Sequence, residues 1–326
     1  MITGLEHRIF EVGHPDLTRL AIDIFHFQYQ NNPLYRSYTD MIGADPHAIH
    51  EIDQIPFLPV SFFKTHTVRT TDFTAEIVFE SSGTSGTGGS RHEVRSLPLY
   101  RQSFIAGFEH FYGPVTDWCI IGLLPAYLER SNSSLVLMVD ELIRMSGHSA
   151  SGFYLYEHDK LYDLLQRLED RGQKTLLIGV TFALLDFAEK YSMSLRHTVV
   201  METGGMKGRR REITRQELHG YLTERLGLEV IHAEYGMTEL LSQAYSAGHG
   251  LFKSVPWMKA LIRKEDDPFA VTMQGEGILN IIDLANLYSC AFLATEDIGK
   301  IHADGRFEVS GRVDNSDIRG CSQLVV

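Results

Sequence analysis

A run of glycines and small hydroxyl residues, SSGTSGTGGSR over residues 81–91, is the part of the sequence best suited to chemistry. It directly follows EIVFE, an apolar stretch that predicts a strand over 76–80. Backbone N–H groups and hydroxyls in such a turn form a concave anion site. The lysine of a Walker A loop is missing, which disfavours a P-loop hydrolase. The run predicts a phosphate-binding loop, with a flexible interdomain linker as the alternative.

Two further turns follow predicted strands. Gly204 and Gly205 come after HTVVME, and small residues there let a flat base lie against the backbone. EYGMTE, residues 234–239, ends the strand LEVIHAEYG and joins an aromatic ring to a carboxylate. An aromatic face can stack on a base, and a carboxylate oxygen is a ligand that suits Mg²⁺. The alternative is an ordinary strand-to-helix turn for the two glycines, and a turn with a chance glutamate for EYGMTE.

Alternating helices and strands must position these turns. Apolar periodicity predicts helices over 15–30, 99–111, 159–170, 181–191 and 211–227. Apolar runs predict strands over 117–125, 175–180, 197–202 and 228–236. Pro56 and Pro59 favour an extended connector over residues 55–64. The alternation predicts an α/β fold with largely parallel sheets.

Beyond residue 246 the pattern changes to strands without long helices, as in GILNIIDLA and KIHADGRFEVSGR. This pattern predicts a β-rich, barrel-like subdomain. We therefore expect a single domain over residues 1–326 with three parts. These are a helical and extended part (about 1–75), an α/β nucleotide-binding part (about 76–245) and a β-rich part with a C-terminal cysteine arm (about 246–326).

Composition narrows the class of protein. The chain has 326 residues, 44% of them hydrophobic, and a net charge of -12, which argues against non-specific nucleic-acid binding. Its three cysteines, Cys119, Cys290 and Cys321, suggest neither a disulfide framework nor a zinc site. The sequence has no signal-peptide pattern, and its longest apolar run is too short to span a bilayer. We expect a cytoplasmic protein that is not embedded in a membrane.

In type and order, the motifs resemble those of the adenylate-forming superfamily, which includes acyl-CoA ligases, luciferases and peptide-synthetase adenylation domains. The resemblance implies the N-terminal domain of such an enzyme, with stacked α/β sheets and a β-rich barrel-like subdomain. It also implies ATP and Mg²⁺ as cofactors. The family's loop usually continues into Pro-Lys, whereas here the proline is missing and Arg91 lies near the lysine position.

The resemblance assigns roles residue by residue. Phosphate contacts fall to Ser81, Ser82, Gly83, Thr84, Ser85, Gly86, Thr87 and Arg91. The adenine is lined by Gly204, Gly205, Tyr235 and Gly236. Thr238 contacts the α-phosphate or the acyl carboxylate, and Glu239 binds Mg²⁺. Asp297 in TEDIGKI accepts hydrogen bonds from the ribose hydroxyls, and Arg312 in GRVDNSDIRG adds charge-assisted donors.

Three segments, IPFLPVSFFK, METGGMKGR and DIRGCSQLVV, together with the length, are similar to LuxE-type acyl-protein synthetases, also called long-chain-fatty-acid–luciferin-component ligases. In that family a C-terminal cysteine takes the acyl group from acyl-AMP and passes it to a fatty acyl reductase. Cys321 is the matching residue. A thiol on a terminal arm can reach an activated carbonyl, and Arg319 could lower its pKa. The alternative is an inert side chain in a terminal strand.

Most adenylate-forming enzymes continue into a mobile C-terminal domain of roughly a hundred residues that carries a catalytic lysine. We expect this chain, which ends at Val326, to lack that domain. Lys207, Arg210 and Lys300 are candidates to replace the lysine. We assign no role to any of the 15 histidines. The apolar segment 122–139 either lines an acyl pocket or packs the core.

Two other functions stay open. The acyl acceptor could be coenzyme A or a carrier protein, as in phenylacetate-CoA-ligase-like enzymes. Alternatively, the chain could be a non-catalytic subunit that binds nucleotide or acyl chains.

Overall fold

The computed structural model describes residues 2–11, 17–81, 89–124, 132–204, 213–264, 267 and 269–313. Their helices are α1 Ile2–Ile9, α2 Leu17–Asn31, α3 Pro33–Met41, α4 Phe62–Thr65, α5 Leu97–Tyr112, α6 Ser134–Ser146, α7 His158–Asp170, α8 Thr181–Lys190 and α9 Arg215–Leu226. Their strands are β1 Leu58–Pro59, β2 Ile77–Glu80, β3 Arg91–Val94, β4 Cys119–Leu123, β5 Gly152–Phe153, β6 Thr175–Gly179, β7 Thr198–Glu202, β8 His232–Tyr235, β9 Ala244–Ser246, β10 Phe252–Ser254, β11 Met258–Arg263, β12 Val271–Thr272, β13 Gly275–Asp283, β14 Phe292–Ile301 and β15 Phe307–Arg312.

One half of the main sheet is parallel, in the order β5-β4-β6-β7-β8. Helices α6 to α9 each connect two successive strands of this half. Every residue of β4 and β6 is buried, as expected for a parallel sheet covered on both faces. The carboxyl ends of these strands meet at one edge, where open α/β sheets bind their ligands.

The other half is antiparallel and continues from β8 through β9-β10-β15-β14-β13-β11-β12. Strand β1 pairs in parallel with β14, at residues that β15 leaves free. The late, strand-rich part of the chain therefore extends the same sheet. This brings the end of β8 close to β14 and β15.

A separate hairpin, β2–β3, carries the predicted phosphate loop at its tip, with Glu80 opposite Arg91. The predicted strand over 76–80 is confirmed, but its return strand was not predicted. Arg91 therefore lies in a strand and not in the loop.

The predicted α/β alternation is confirmed, because each helix and strand predicted between residues 99 and 236 has an observed counterpart. The connector over 55–64 is extended only as far as β1, and the prediction was wrong for its second part. There, α4 begins at Phe62. A proline restricts itself and the residue before it, so Pro59 does not prevent a helical turn further along.

The carboxylate of Asp283, at the end of β13, fixes the turn that follows β8. Asp283 is fully buried, and its Oδ2 accepts hydrogen bonds from the backbone N–H groups of Leu241 (2.8 Å) and Ser242 (2.9 Å). Its Oδ1 accepts from Ser242 Oγ at 2.5 Å and from the N–H of Ala285 at 3.1 Å. The indole of Trp257 donates to the same Ser242 hydroxyl at 2.9 Å. One side chain thus joins the antiparallel half to the segment 236–242.

We expect Asp283→Ala to lower the free energy of unfolding by about 3 kcal/mol or more, because several buried donors lose their acceptor. Urea denaturation measures this loss. Asp304→Ala is the control, because Asp304 is exposed and its contacts, a hydrogen bond from the N–H of Arg306 and an ion pair with the Arg306 side chain, lie within one surface turn. Equal stability losses in the two variants would contradict the role given to Asp283.

Candidate active site

Ser81 and Ser90 pair at the end of the β2–β3 hairpin and form a narrow neck, from which the predicted phosphate loop continues. The N–H of Ser81 donates to the carbonyl of Ser90 at 3.0 Å, and the N–H of Ser90 donates to Ser81 Oγ at 2.8 Å. A Cβ on Gly89 would lie 2.2 Å from the carbonyl oxygen of Ser81, so only glycine fits there. Arg91 is exposed, and its Nε lies 3.4 Å from Glu80 Oε1. The loop residues Ser82, Gly83, Thr84, Ser85, Gly86 and Thr87 lie outside the described residues.

Glu239 lies beside this neck. Its carboxylate is buried and accepts a hydrogen bond from the Ser90 hydroxyl, and its carbonyl accepts one from Asn286 Nδ2 at 2.7 Å. Burial raises the pKa of Glu239, and the Ser90 hydrogen bond and the charges of Arg312 and Lys64 oppose this shift.

A buried carboxylate beside an anion loop fits Mg²⁺, which is commonly held by one or two carboxylates and by substrate phosphates. Within the described ranges, no group of three or more His, Cys, Asp or Glu side chains could hold a metal by itself. Glu239 would therefore need the phosphates to complete a metal site.

His92 holds the turn before Glu239, although we predicted no role for a histidine. Its Nδ1 lies 2.9 Å from the carbonyl of Thr238, and its Nε2 lies 2.9 Å from Ser289 Oγ. Burial lowers the pKa of His92 to about 4, so the ring is neutral. A neutral ring that donates from Nδ1 and accepts at Nε2 satisfies both contacts. A lone histidine in the polar strand RHEV gave no sequence signal for this position.

Tyr235, Asp297 and Arg312 meet across the sheet. The hydroxyl of Tyr235 donates to Asp297 Oδ2 at 2.7 Å, and Arg312 Nε donates to Asp297 Oδ1 at 2.8 Å. The tyrosine ring packs edge-on against Phe252 and Phe307. Asp297 and Tyr235 are buried, while the Arg312 side chain is 65% exposed. Tyr235, predicted for the adenine, is therefore connected to Asp297 and Arg312, predicted for the ribose.

Gly204 turns the chain at the end of β7. Its φ of 72° lies in the left-handed region that favours glycine. Its N–H donates to Glu202 Oε2 at 2.6 Å, and its carbonyl accepts from the N–H of Thr181 at 3.2 Å. Burial alone would raise the pKa of Glu202, but the neighbouring His219, the charge of Arg215 and hydrogen bonds from Gly204 and Arg215 lower it. Gly205 lies outside the described residues.

A cavity of about 180 Å³ lies between the hairpin, the first turn of α6 and the end of β8. Its lining comprises Glu80, Ser81, Tyr100, Ser133, Ser134, Leu135, Met138, Thr203, Glu234, Gly236, Met237, Thr238 and Gln243. Part of the segment predicted as an acyl pocket or core, 122–139, therefore lines this cavity through the start of α6. Residues 125–131 of that segment lie outside the described residues.

Glu234 is the acidic side chain in the buried part of this cavity. It is 8% exposed and makes no hydrogen bond to another described residue. Burial, together with the charge of Glu202, raises the pKa of Glu234 to about 8. A Cβ on Gly236 would lie 2.5 Å from Glu234 Oε1, so the missing side chain of Gly236 leaves room for the carboxyl group.

The remaining predicted residues are one described lysine and three residues outside the described part of the chain. Cys321, Lys207 and Arg210 lie outside the described residues. Lys300 lies in β14 and pairs with Glu276 at 2.8 Å. Lys64 in α4, which we did not predict, is close enough to lower the pKa of Glu239.

We expect Glu234→Gln to stabilise the fold increasingly as the pH rises. The carboxyl group has a pKa near 4.5 when unfolded and about 8 in the fold, so its contribution is fully present below about pH 4.5. It is lost as the pH rises towards 8, because the folded state must then give up the proton. Urea denaturation at pH 5 and pH 8 tests this, with Glu276→Gln as a surface control. An equal gain at both pH values would contradict the buried neutral acid.

Comparison with known proteins identifies the relatives of this chain. A family model for the acyl-protein synthetase LuxE matches residues 16–326. The long-chain-fatty-acid–luciferin-component ligase of Vibrio harveyi is 24% identical and covers 94% of this chain and 86% of its own length. The Aliivibrio fischeri protein of the same name is 22% identical, covering 86% and 78% respectively.

Solved structures show the same fold. A 2-hydroxyisobutyryl-CoA ligase in its postadenylation state matches with a TM-score of 0.60 and 10% identity, covering 92% of this chain and 70% of that protein. The O-succinylbenzoate coenzyme A synthetase of Bacillus subtilis, with ATP and magnesium, matches with a TM-score of 0.50 and 15% identity, covering 72% and 49%.

The described residues contain no helix long and apolar enough to cross a membrane. The fold is that of the N-terminal domain of adenylate-forming enzymes. Because the family model matches nearly the whole sequence, the chain belongs to the LuxE acyl-protein synthetase family of ligases.

Proposed function

We propose that this protein uses ATP to convert a fatty acid to acyl-AMP and then transfers the acyl group to its own Cys321. A fatty acyl reductase then receives the acyl group from this cysteine, and the reaction takes place in the cytoplasm. The convergence of the phosphate-loop neck, Glu239 and the Tyr235–Asp297–Arg312 cluster at one edge of the sheet carries the proposal.

In the first step a carboxylate oxygen of the acid attacks the α-phosphorus of ATP. The bond from that phosphorus to the bridging oxygen breaks, and pyrophosphate leaves with the electron pair. Asp297 holds the ribose while the loop beyond Ser81 holds the phosphates, so catalysis is mainly positioning and electrostatic stabilisation. Mg²⁺ held by Glu239 would offset the phosphate charge.

In the second step the thiolate of Cys321 attacks the carbonyl carbon of acyl-AMP. A thioester forms, the carbon–oxygen bond to the phosphate breaks, and AMP leaves. Among the described residues, Arg312 and Lys64 place positive charge close to Glu239. Lys64 makes no ion pair with another described residue, which makes it a candidate for the cation that bridges the carboxylate and the α-phosphate.

The names of the relatives support this proposal. The Vibrio harveyi and Aliivibrio fischeri proteins are named as ligases of a long-chain fatty acid and a luciferin component. Among the proteins of like fold, one was solved with ATP and magnesium. Transfer to coenzyme A remains the second candidate, since two of the proteins of like fold are coenzyme A ligases.

We expect Cys321→Ser to abolish covalent labelling when the protein is incubated with ATP, Mg²⁺ and a labelled fatty acid. In the wild type, hydroxylamine should release the label, because it cleaves thioesters. Cys119→Ala is the control: that thiol is buried, and burial raises its pKa, so labelling should persist. Label retained in Cys321→Ser would refute the assignment. Acyl-coenzyme A formed without labelled protein would favour the second candidate.

We expect Glu239→Gln to slow acid-dependent pyrophosphate exchange by about a hundredfold or more, because the variant loses the charge that would hold Mg²⁺. Raising the Mg²⁺ concentration should restore part of the rate. Glu276→Gln, which alters an exposed carboxylate on β13, should exchange at the wild-type rate. Undiminished exchange in Glu239→Gln would refute the role of Glu239. No exchange by the wild type with any acid would favour a non-catalytic binding subunit.

A further inference from the structure

The cavity of about 180 Å³ beside the end of β8 is too small for a whole long-chain acid. A cavity of about 150 Å³ holds one benzene molecule, so this one has room for roughly six to eight non-hydrogen atoms. Only one end of a fatty acid can therefore lie in it. The lining decides between the methyl end and the carboxyl end, because the two ends need opposite surroundings.

Glu234 makes the buried part of this lining polar. Its side chain is 8% exposed and makes no hydrogen bond to a described residue. Gln243 Oε1 and the Thr203 hydroxyl are closed off by neighbouring atoms, whereas the carboxyl oxygens of Glu234 stay open to the cavity. A methyl end in the cavity would leave this acid unpaired, at a cost in free energy that a carboxyl end would remove.

The first turn of α6 is a second feature that suits a carboxylate. Ser133, Ser134 and Leu135 line the cavity, and the Ser133 hydroxyl caps the helix by accepting a hydrogen bond from the N–H of Val136 at 3.4 Å. The N–H groups of Ser134 and Leu135 have no partner among the described residues. No acidic side chain lies in this turn to offset the positive end of the helix dipole. Free N–H groups at such a helix end attract anions.

The donors for a carboxylate in this cavity are uncharged. Among the described residues that line it, none is a lysine, an arginine or a histidine. The other acid of the lining, Glu80, is exposed and has its Oε1 3.4 Å from Arg91 Nε. A protonated carboxyl group is a strong donor to a carboxylate, because hydrogen bonds to an ionised acceptor are about twice as strong as neutral ones. Burial, which raises the pKa of Glu234 to about 8, keeps its carboxyl group protonated at neutral pH.

We infer that the carboxyl group of Glu234 donates a hydrogen bond to the carboxylate of the fatty acid, which lies at the N-terminal turn of α6. The inference rests on the proposed function, because it takes a fatty acid as the occupant of the cavity. Glu234 holds one oxygen of the substrate carboxylate. The other oxygen faces Thr238, which also lines the cavity and precedes Glu239 in the chain. Glu234 is thus a substrate-binding residue for the adenylation step.

The groups around Glu234 allow its proton to be tested by pH. Among the described residues, the ionisable side chains near it are Tyr100 and Tyr112 of α5, Tyr245 of β9, His232 of β8, Glu202 of β7 and Glu80 of β2. Burial raises the pKa of all three tyrosines and lowers that of His232, so these four stay neutral between pH 7 and pH 9. The pKa of Glu202 is lowered, so this group stays ionised.

Calorimetry on the full chain with dodecanoate tests the inference. Mg²⁺ and α,β-methylene-ATP are present, so that the nucleotide site is filled but no adenylate forms. The dissociation constant of the wild type should rise about tenfold from pH 7 to pH 9, because Glu234 loses its proton around pH 8. Dodecanoate itself is ionised at both pH values. Glu234→Gln keeps a neutral donor, so its affinity should not change with pH, and dodecanol should bind the wild type equally at both.

A pair of variants tests the helix end. Asp and Asn have the same shape and differ in charge, so Ser134→Asp should bind dodecanoate about tenfold or more weakly than Ser134→Asn at pH 7. An acidic side chain in the first turn normally stabilises a helix, so thermal unfolding should show no loss of the fold. Glu276→Gln, which alters an exposed carboxylate on β13, is the control and should match the wild type in affinity and pH dependence.

A wild type that does not bind dodecanoate, or binds it equally at pH 7 and pH 9, would overturn the inference. So would a pH dependence that persists in Glu234→Gln, or equal binding by the two Ser134 variants. Weaker nucleotide binding with unchanged dodecanoate binding in Ser134→Asp would also overturn it, because the cavity would then hold the base. Failure of the proposed function looks different: dodecanoate would bind with the expected pH dependence but support neither pyrophosphate exchange nor labelling of Cys321.

Discussion

The buried carboxylate of Asp283 is the interaction on which the arrangement of the site depends. It lies at the end of an antiparallel strand but accepts hydrogen bonds from backbone and side-chain donors of the turn after β8. That turn carries Glu239, whose own carbonyl is held by Asn286, three residues beyond Asp283. Because His92 holds the same turn from the hairpin side, three separate elements fix one short segment. A metal-binding carboxylate needs such support, since its position cannot be set by a flexible turn.

The change from parallel to antiparallel pairing at β8 explains why distant residues meet. If the sheet ended at β8, Tyr235 would lie on an edge strand. Instead, β9, β10 and β15 continue the ladder and bring β14 to the same end of the sheet, where Asp297 accepts the hydrogen bond of Tyr235. Asp297 and Arg312 lie opposite each other in the β14–β15 register. The buried carboxylate thus receives two donors from two directions, which fixes its orientation.

The sequence predicted well where chemistry and periodicity coincide within a short segment. Apolar runs identified β4, β6 and β7, and the residues of EYGMTE were singled out correctly as neighbours of a strand end. The sequence did not predict side chains whose role depends on partners far away in the chain. Nothing in RHEV shows that His92 contacts Thr238, because the two residues are joined only by folding. The same applies to Glu234, which reads as one more polar residue of a strand, whereas in the fold it is buried opposite Tyr245 of β9. Lys64 was not singled out, because the prolines before it predicted an extended connector, whereas it lies in the short helix α4.

Glu202 and Glu234 are two buried carboxyl groups near the same edge of the sheet, and their pKa values are shifted in opposite directions. Glu202 accepts hydrogen bonds from Gly204 and Arg215, and its pKa is lowered, so it serves the turn that it caps. Glu234, near the end of β8, has no such partner among the described residues, and burial raises its pKa. A neutral residue of similar shape would fold better at that position, because it would avoid the cost of an unpaired acid. Structural need therefore explains Glu202 but not Glu234. The side chain that destabilises the fold lines the cavity beside the turn after β8, and such sites are where stability is most often exchanged for recognition.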